Sequence, residues 1–330
     1  MINNPVFINN SFNIDATCDR LFDISDTGQL QNIDYDRYLF LGGSSNVLFT
    51  EHFKGSIIRN AIRGIQIIET TDDHVVVEVG GGEVWHDVVM WAVAKNFGGI
   101  QNLSLIPGST GAAPIQNIGA YGAEVADVIL SVKGYNVSTG RMVTLSSEEC
   151  EFGYRSSIFK TELRNRFFIT HVLMKLTRRR HRIDLSYGAI EQEYLDDRSN
   201  RTDVQKVSKA VIRIRQSKLP DPNKLGNCGS FFKNPVISKY QADLIADDYD
   251  DLKTYPINND TVKVPAAWLI EKCGFKGKRV GDVGTYHKHA LVIVNYGGST
   301  GSEVWDFAQE IIDGVKNKFR IELVPEVNIL

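Results

Sequence analysis

Apolar residues in the first half of the chain follow patterns typical of β-strands. Residues 37–49, "RYLFLGGSSNVLF", predict a short strand that runs into a Gly-Ser-Ser-Asn turn. Residues 74–99, "HVVVEVGGGEVWHDVVMWAVAKNFGG", predict a strand, a glycine bend and then a helix. Residues 129–146 combine two β-rich arms around Ser-Thr-Gly, which predicts a hairpin, and residues 166–176, "RFFITHVLMKL", predict a further strand.

Helical patterns are fewer in this half. In the helix after the glycine bend, one face is predicted to carry Val84, Val88, Trp91 and Ala92. Ser146 and Glu149 have the spacing of a capping box and predict a short helix.

The second half is more helical. Residues 202–219 begin with the capping residues Thr and Asp and continue with apolar residues at helical spacing. Residues 302–319 predict a helix whose apolar stripe contains Val304, Phe307, Ile311 and Val315. Residues 320–330, "RIELVPEVNIL", predict a last strand. The pattern predicts an α+β protein with a boundary near residues 195–203.

Composition and charge narrow the functional class. With 330 residues, 42% of them hydrophobic, the chain can form two or three globular domains. A net charge of −3 disfavours nucleic acid and anionic membranes as partners. Residues 213–289 nevertheless carry 13 Lys and Arg against 9 Asp and Glu, which favours an anionic small ligand.

The same sequence argues against a membrane location. It has no window of about 18 apolar residues, and its first residues lack the features of a signal peptide. The cysteines, Cys18, Cys150, Cys228 and Cys273, show no CxxC spacing. We therefore expect free thiols in a reducing cytoplasm.

Two loops rich in glycine are candidates for binding phosphate. Residues 103–122, "LSLIPGSTGAAPIQNIGAYG", contain four glycines and no charge, and residues 42–48, "GGSSNVL", form a second loop of this kind. Such loops bring backbone N–H groups close to a ligand. Two buried turns are the alternative interpretation. Neither loop has the P-loop pattern, and no GxGxxG follows a strand.

Three residues are candidates for chemistry. Ser230 lies in "GNCGSFFKNP", where capping of a turn is the alternative role. Arg155 lies among apolar and aromatic residues and could bind a carboxylate or form a structural ion pair. Glu326 is an isolated carboxylate in an apolar terminal segment, and buried carboxylates are rare unless they are paired or functional.

Other polar clusters have simpler explanations. The run "RRRHR" at residues 178–182 is typical of a solvated loop. His287 and His289 have no third ligand close in sequence, so no metal site is predicted. Cys228 has no His or Asp nearby in sequence and is expected to be a packed residue.

Taken together, these stretches resemble the UDP-N-acetylenolpyruvoylglucosamine reductase family of bacterial flavoenzymes. The segments that carry the resemblance occur in order from residue 41 to the C-terminus: "LGGSSNVL", "SLIPGSTGAAPIQNIGAYG", "YRSSIFK", "SYGAI", "SKLPDP", "GNCGSFFKNP", "AAWLIEKCGFKG" and "PEV". The segment 184–198 resembles the form of the family with an inserted loop that carries a tyrosine.

The resemblance implies an α+β fold with two functional parts. Residues 1–200 would form an FAD-binding region of the vanillyl-alcohol-oxidase (PCMH) type, with two α+β subdomains that divide near residues 65–70. Residues 201–318 would bind the UDP-sugar. Residues 319–330 would form a strand that returns to the active site.

The resemblance also assigns residues. The catalytic residues would be Arg155, Ser230 and Glu326. Non-covalent FAD would be bound by Gly42, Gly43, Ser44, Ser45, Asn46, Val47, Leu48, Pro107, Gly108, Ser109, Thr110, Gly111, Ala112, Pro114, Asn117, Ile118 and Gly122. The substrate would be bound by Tyr187, Lys218, Asn234, Lys263, Lys276 and His289.

The implied reaction is the NADPH-dependent reduction of UDP-N-acetylglucosamine enolpyruvate to UDP-N-acetylmuramate. NADPH would reduce FAD, hydride would pass from flavin N5 to the substrate, and Ser230 would donate the proton. The product serves peptidoglycan synthesis, and through it cell-wall biogenesis, cell shape and cell division. A cytoplasmic monomer without a metal, a membrane or a nucleic-acid partner is expected.

Two other functions are alternatives. A UDP-sugar sensor without catalysis would keep the fold, although the presence of all three catalytic candidates argues against it. A flavin oxidase of the same superfamily would lack "GSFFKNP" and "SKLPDP".

Overall fold

The chain divides into two compact units. A computed structural model describes residues 5–187 and 189–330, so residues 1–4 of the predicted N-terminal segment and residue 188 of "SYGAI" lie outside the described residues. The first unit consists of Met1–Val6, Cys18–Gly43 and Lys54–Ser217, and the second of Phe7–Thr17, Ser44–Phe53 and Lys218–Leu330. The main division thus follows Ser217, whereas the sequence suggested residue 200.

The described residues form short and medium strands. In chain order these are β1 (Val6–Ile8), β2 (Ala16–Ile24), β3 (Tyr38–Leu41), β4 (Val47–Leu48), β5 (Phe53–Asn60), β6 (Ile65–Thr70), β7 (His74–Gly80), β8 (Gly119–Ala120), β9 (Ala123–Glu124), β10 (Ile129–Asn136), β11 (Arg141–Ser146), β12 (Phe167–Thr177), β13 (Gly226–Ser230), β14 (Val236–Ser238), β15 (Tyr255–Pro256), β16 (Thr261–Lys263), β17 (Arg279–Val280), β18 (Val283–Tyr286), β19 (His289–Asn295) and β20 (Asn328–Ile329).

The α-helices lie mostly in the second half, as the sequence predicted. They are α1 (Trp85–Ala94), α2 (Ile190–Asp196), α3 (Asp203–Lys218), α4 (Lys239–Asp248), α5 (Ala266–Lys272) and α6 (Gly301–Phe319). No helix among the described residues is long and apolar enough to cross a membrane.

The first unit is built on two sheets. Most of a four-stranded sheet, of order β1-β2-β5-β3, belongs to it, with β3 and β5 parallel. An antiparallel five-stranded sheet has the order β11-β10-β12-β7-β6. The change from one sheet to the other lies between Asn60 and Ile65, next to the division predicted near residues 65–70. The predicted hairpin at residues 129–146 is confirmed by the pairing of β10 with β11.

Helix α1 covers the five-stranded sheet with a face that differs from the predicted one. Its buried residues include Trp85, Val88, Val89 and Ala92, which join a core that contains the buried valines of β7. Val84 precedes the helix and is 39% exposed, so its assignment to the helix was wrong. The error is one of helix boundary, because Val84 is the N-cap residue in extended conformation.

The second unit combines two small sheets with α4, α5 and α6. One sheet has the order β13-β19-β18-β17, and the other has the order β14-β16-β15. The predicted stripe of α6 is confirmed, since Val304, Phe307, Ile311 and Val315 are at most 3% exposed. Each such buried side chain contributes about 1.5–3 kcal/mol through removal of apolar surface from water.

Two predicted elements differ from the structure. Ser146 and Glu149 do form reciprocal side-chain to backbone hydrogen bonds, of 3.3 and 2.8 Å, but residues 147–150 make a turn and not a helix. The terminal segment 320–330 contains only the two-residue strand β20, which pairs with β4 in parallel. Its other residues make single backbone contacts that place Glu326, as described below.

Candidate functional site

Glycines in the first unit bring three backbone segments into contact. A Cβ on Gly43 would lie 3.1 Å from the Cα of Gly108, and one on Gly111 would lie 3.0 Å from the carbonyl oxygen of Gly81. A Cβ on Gly81 would lie 2.5 Å from the carbonyl oxygen of Ile169. These distances leave no room for side chains, so glycine is required where the segments meet. The two predicted phosphate-binding loops therefore approach one another through Gly43 and Gly108.

The loop at residues 107–112 is held by its own backbone. Thr110 N–H donates to the Glu83 carbonyl at 2.8 Å, and Gly111 N–H donates to the Gly81 carbonyl at 2.7 Å. These two N–H groups stabilise the loop and are occupied by carbonyl groups of the protein. Gly108 has φ of +113°, a conformation that favours glycine.

Ser109 gives this loop a polar group available for a ligand. Its hydroxyl is buried and has no hydrogen-bond partner among the described residues. A buried hydroxyl without a partner costs free energy, and a bound phosphate oxygen would supply that partner. A Cβ on Gly42 would lie only 2.4 Å from the Ser109 Oγ, so Gly42 keeps space beside the hydroxyl. The site thus fits a pyrophosphate such as that of FAD.

Asn117 organises the second part of the same loop. Its side-chain amide donates to Glu124 Oε2 at 2.7 Å and to the Gly153 carbonyl at 3.2 Å, and its Oδ1 accepts from Ala126 N–H at 3.1 Å. Asn117 is 1% exposed, and its side chain stabilises the loop through these hydrogen bonds. Pro114 and Ile118 flank it, and Ile118 packs against the core of the first unit.

Arg155 lies against the hairpin formed by β8 and β9. Its guanidinium donates to the Gly119 carbonyl at 2.8 Å, and a Cβ on Gly119 would lie 3.1 Å from the guanidinium. Arg155 itself has φ of +52°, an uncommon conformation for a residue with a side chain. Such conformations are concentrated at functional sites because the surrounding structure must hold them. Arg155 is half-buried, and a guanidinium is a side chain that binds carboxylates.

Tyr187 lies over the same hairpin. It is 52% exposed, and its ring meets the Tyr121 ring edge to face with centroids 6.1 Å apart. Gly122, at the turn of the hairpin, has φ of +80° and leaves the space that the Tyr187 and Asp184 side chains border. The structure therefore brings Arg155, Tyr187 and the predicted cofactor residue Gly122 to one hairpin.

In the second unit, Ser230 ends strand β13 at a β-bulge. Asn227 pairs with Val294 and Ser230 with Val292, so an irregularity falls between them. Gly229 has φ of +72° and open space around its Cα, which permits this bend. The bulge changes the direction of the Ser230 side chain relative to a regular strand. Ser230 is half-buried.

Glu326 lies beside Ser230 in the fold. Its N–H donates to the carbonyl of Phe231 at 2.8 Å, and Lys233 N–H donates to the carbonyl of Val324 at 2.9 Å. The terminal segment therefore pairs with the residues that follow Ser230. Two of the three catalytic candidates are brought together in this way, whereas Arg155 belongs to the first unit.

Asn46 connects the second cofactor loop to the same segment. Its side-chain amide donates to the Glu326 carbonyl at 3.2 Å. Its own carbonyl accepts from the backbone N–H and the side chain of Asn328, at 3.1 and 3.0 Å. Since β4 pairs with β20 directly afterwards, the predicted cofactor residues Val47 and Leu48 are fixed by the C-terminus.

The remaining residues of this loop are also ordered by the second unit. Ser44 has φ of +52° and is 5% exposed, and its carbonyl accepts from Ser11 N–H at 3.3 Å. Ser45 is half-buried between Ser44 and Asn46. Gly42 and Gly43 belong to the first unit, so the division of the chain falls inside this loop.

Three predicted substrate residues form a cationic cluster. Burial, together with the charges of Lys218 and Lys276, lowers the pKa of His289 below its ordinary value of 6.5. His289 is therefore neutral near pH 7 and lies among two lysines. Lys276 also pairs with Glu271 at 2.9 Å, and it is exposed. The cluster suits a doubly charged anion such as a diphosphate.

Asn234 and Lys263 have contacts within the second unit. The Asn234 side-chain oxygen accepts from Ala266 N–H at 2.9 Å and so caps α5. Lys263 lies over the Tyr255 ring, 6.0 Å from its centroid, and pairs with Val236 across β16 and β14. Asn234 thus has a structural role that the sequence did not indicate.

The cysteines and histidines are not metal ligands in this structure. All four cysteines are free, as predicted, and Cys228 is buried with its thiol 3.2 Å from Ser11 Oγ and 3.6 Å from the Val47 carbonyl. Burial raises the pKa of Cys228 to about 12, so the thiol is unreactive. Across residues 5–187 and 189–330, no group of three or more His, Cys, Asp and Glu could hold a metal ion.

Sequence reasoning missed two features of the first unit. A Cβ on Gly81 would lie 2.5 Å from the Ile169 carbonyl oxygen, and one on Gly82 would lie 2.8 Å from the Ala61 carbonyl carbon, so both positions require glycine. The signal was the run of three glycines at residues 80–82, which we interpreted only as a bend. Arg215, in α3, was also missed, although it stands in an otherwise apolar helical stripe beside Ile214.

Comparison with known proteins agrees with this geometry. A model described as "FAD binding domain" matches residues 22–146, which include both glycine-rich loops. A model described as "UDP-N-acetylenolpyruvoylglucosamine reductase, C-terminal domain" matches residues 221–330. Fold and site thus define an FAD-dependent oxidoreductase.

Whole-length relatives identify the family. The chain is 44% identical over 325 residues to UDP-N-acetylenolpyruvoylglucosamine reductase of Flavobacterium johnsoniae, covering 97% of this chain and 96% of that protein. It is 39% identical over 326 residues to the reductase of Bacteroides fragilis, covering 97% of both. The chain belongs to the UDP-N-acetylenolpyruvoylglucosamine reductase family.

A solved structure supports the fold. The reductase of Thermus caldophilus superposes with a TM-score of 0.68 at 21% identity, covering 97% of this chain and 95% of that one. The predicted family, enzyme class, α+β fold and FAD cofactor are confirmed.

Proposed function

We propose that Ser230 supplies the proton in the reaction of this family, the NADPH-dependent reduction of UDP-N-acetylglucosamine enolpyruvate to UDP-N-acetylmuramate in peptidoglycan synthesis. The observation that carries the proposal is the backbone pairing of Phe231 with Glu326 at 2.8 Å, directly after Ser230. It holds a hydroxyl and a carboxyl on neighbouring segments of one unit.

FAD is held by the residues of the two glycine loops. When bound, it supplies the two-electron redox chemistry that links NADPH to the enolpyruvyl double bond. Ser109 donates its otherwise unpartnered hydroxyl to the pyrophosphate, and Gly43 and Gly108 let the backbone approach the ligand.

The proton is moved by Ser230. Reduction of the double bond leaves negative charge on the carbon next to the substrate carboxylate, and that carbon is a strong base. A neutral hydroxyl is protonated at every working pH and can therefore donate to it, although its acidity is far below that of usual general acids. The bulge at Gly229 gives the hydroxyl a fixed direction, and the buried Phe231 and Phe232 exclude water from the adjacent backbone.

Arg155 and Glu326 stabilise the same charge from the substrate side. As negative charge develops, the substrate carboxylate becomes enolate-like and accepts stronger hydrogen bonds. Arg155, held against Gly119, donates from a fixed guanidinium. Glu326 places a carboxyl group on the segment that pairs with Phe231, directly after Ser230. Fixed donors need no reorganisation during the reaction.

The UDP-sugar is bound by the cationic cluster and its neighbours. Lys218 and Lys276 bind the diphosphate, with the neutral His289 as a hydrogen-bond partner between them. Lys263 and Asn234 lie on the elements that border α5 and contribute the outer contacts. Tyr187, over the Tyr121 ring, is a further residue that contacts the substrate.

Steady-state kinetics on the purified chain tests the function. We expect a yellow protein with FAD that acid precipitation removes, and NADPH oxidation that depends on UDP-N-acetylglucosamine enolpyruvate. Binding of the UDP-sugar without NADPH oxidation would indicate the sensor, and flavin that remains in the acid pellet would indicate an oxidase with covalent cofactor. We further propose a cytoplasmic location, which the free thiols support. We also propose that the protein is a monomer, which light scattering tests.

A further inference from the structure

Helix α3 carries Arg215, a half-buried arginine with a buried Nε–H group. This N–H group donates to no hydrogen-bond acceptor among the described residues. This differs from the neighbouring Arg213, which is half-exposed and pairs with Glu193 at 3.4 Å. Buried arginines normally have a carboxylate or a bound anion.

The surroundings of Arg215 lie next to the candidate site of the first unit. Tyr121, in the hairpin that carries Gly119 and Gly122, packs against the apolar cluster of α3 that includes Ile214. The Arg215 charge acts on the phenol of Tyr121 and on the imidazole of His86. His86 Nδ1 accepts from Leu105 N–H at 2.9 Å, so this nitrogen is already engaged.

Neither neighbour supplies a negative charge near neutral pH. Burial raises the pKa of Tyr121 above its ordinary value of 10, so the phenol stays protonated. Burial likewise lowers the pKa of the Arg215 guanidinium, which is the cost of holding a cation away from water. The free energy needed to desolvate this cation destabilises the ligand-free protein, and an anion bound beside the guanidinium would offset it.

We propose that Arg215 is an anion-binding residue that receives a negatively charged oxygen of a bound ligand. The charge comes either from FAD or from the UDP-sugar, both of which carry a diphosphate. The proposal rests on the binding of these two ligands described under the proposed function. It adds Arg215 to the residues that bind these ligands.

Substitution of Arg215 by methionine allows two effects of the cation to be measured separately: its effect on the stability of the apoprotein and its effect on ligand affinity. Arg215→Met keeps much of the volume and removes the charge, so the apoprotein should unfold about 2 °C higher or more. The same variant should bind one of its ligands at least tenfold more weakly. Arg213→Met, two residues away on the same helix, is the matched control and should leave both quantities unchanged.

The ligand is identified by two titrations. If FAD supplies the oxygen, the Kd of the Arg215→Met apoprotein for FAD rises while Arg215→Lys recovers part of the loss. If the UDP-sugar supplies it, FAD binds normally and the flavin absorbance change on addition of UDP-N-acetylglucosamine enolpyruvate requires at least tenfold more ligand. Unchanged affinity for both ligands, or an apoprotein less stable than the wild type, would overturn the proposal. Because thermal unfolding of the apoprotein needs no reaction, its result stands apart from the proposed function.

Discussion

Asn328 joins the second cofactor loop to the segment that places Glu326. Its side-chain amide donates to the Asn46 carbonyl at 3.0 Å, and the Asn46 side chain in turn donates to the Glu326 carbonyl at 3.2 Å. In Asn328→Asp the donor is replaced by an oxygen that faces the Asn46 carbonyl. The backbone N–H of residue 328 still donates to Asn46, so the fold is retained.

The magnitude follows from one exposed hydrogen bond. Its loss costs about 1 kcal/mol, which corresponds to roughly a fivefold change in a rate or an equilibrium. If the bond helps to hold Glu326 in place, the oxidation of reduced flavin by the enolpyruvyl substrate should slow by about fivefold. The reduction of flavin by NADPH should stay unchanged, because this half-reaction does not need Glu326.

Stopped-flow absorbance of the flavin measures the two half-reactions separately. Asn258→Asp is the control, since the Asn258 side-chain oxygen accepts from Asp260 N–H and Thr261 N–H and an aspartate retains both bonds. It introduces the same charge at a turn. Equal slowing of both half-reactions in Asn328→Asp, or an unaltered rate of flavin oxidation, would refute the coupling between Asn46 and Glu326.

Three further predictions concern other parts of the protein. Gly108→Asp should lose FAD while the chain stays folded, whereas Gly297→Asp, at a nearly equal φ of +115° and with open space around it, should retain FAD as measured by absorbance after gel filtration. Tyr187→Phe should raise the KM for the UDP-sugar at constant FAD content, and an unaltered KM would remove its hydroxyl from the site. The pKa of His289 is lowered in the folded protein, so acid protonates the unfolded chain first and stability falls as the pH drops below 6.5. Between about pH 6.5 and 5, the unfolding temperature of His289→Gln should therefore fall less steeply with pH than that of the wild type. Equal slopes for the two proteins would contradict a lowered pKa of His289.

The periodicity of apolar residues was sufficient for the long elements. Helix α6 and the hairpin at residues 129–146 were predicted because each buries one face, and burial imposes the period that the sequence displays. Helix boundaries were less predictable. Val84 fits the buried stripe of α1 by spacing, but the helix begins one residue later, and spacing alone does not reveal where the backbone leaves the extended conformation.

The candidate site was predictable only in its residue types. Resemblance indicated Ser230 and Glu326, but their adjacency depends on backbone pairing between segments about a hundred residues apart in the chain, which no local pattern reports. Asn234 and Asn117, which the resemblance assigns to ligand binding, also accept hydrogen bonds from backbone N–H groups of Ala266 and Ala126. These structural contacts depend on the tertiary fold, so the residue types alone could not predict them.

The central claim is that Ser230 donates the proton, and single-turnover kinetics of Ser230→Ala tests it most directly. Flavin reduction by NADPH should proceed at nearly the wild-type rate, because that half-reaction takes no proton from Ser230. Flavin oxidation by UDP-N-acetylglucosamine enolpyruvate should fall by about 10²–10⁴-fold, and Ser230→Cys should recover part of the loss, since a thiol also donates. A wild-type rate of flavin oxidation in Ser230→Ala would contradict the account and leave Glu326 as the next acid to test.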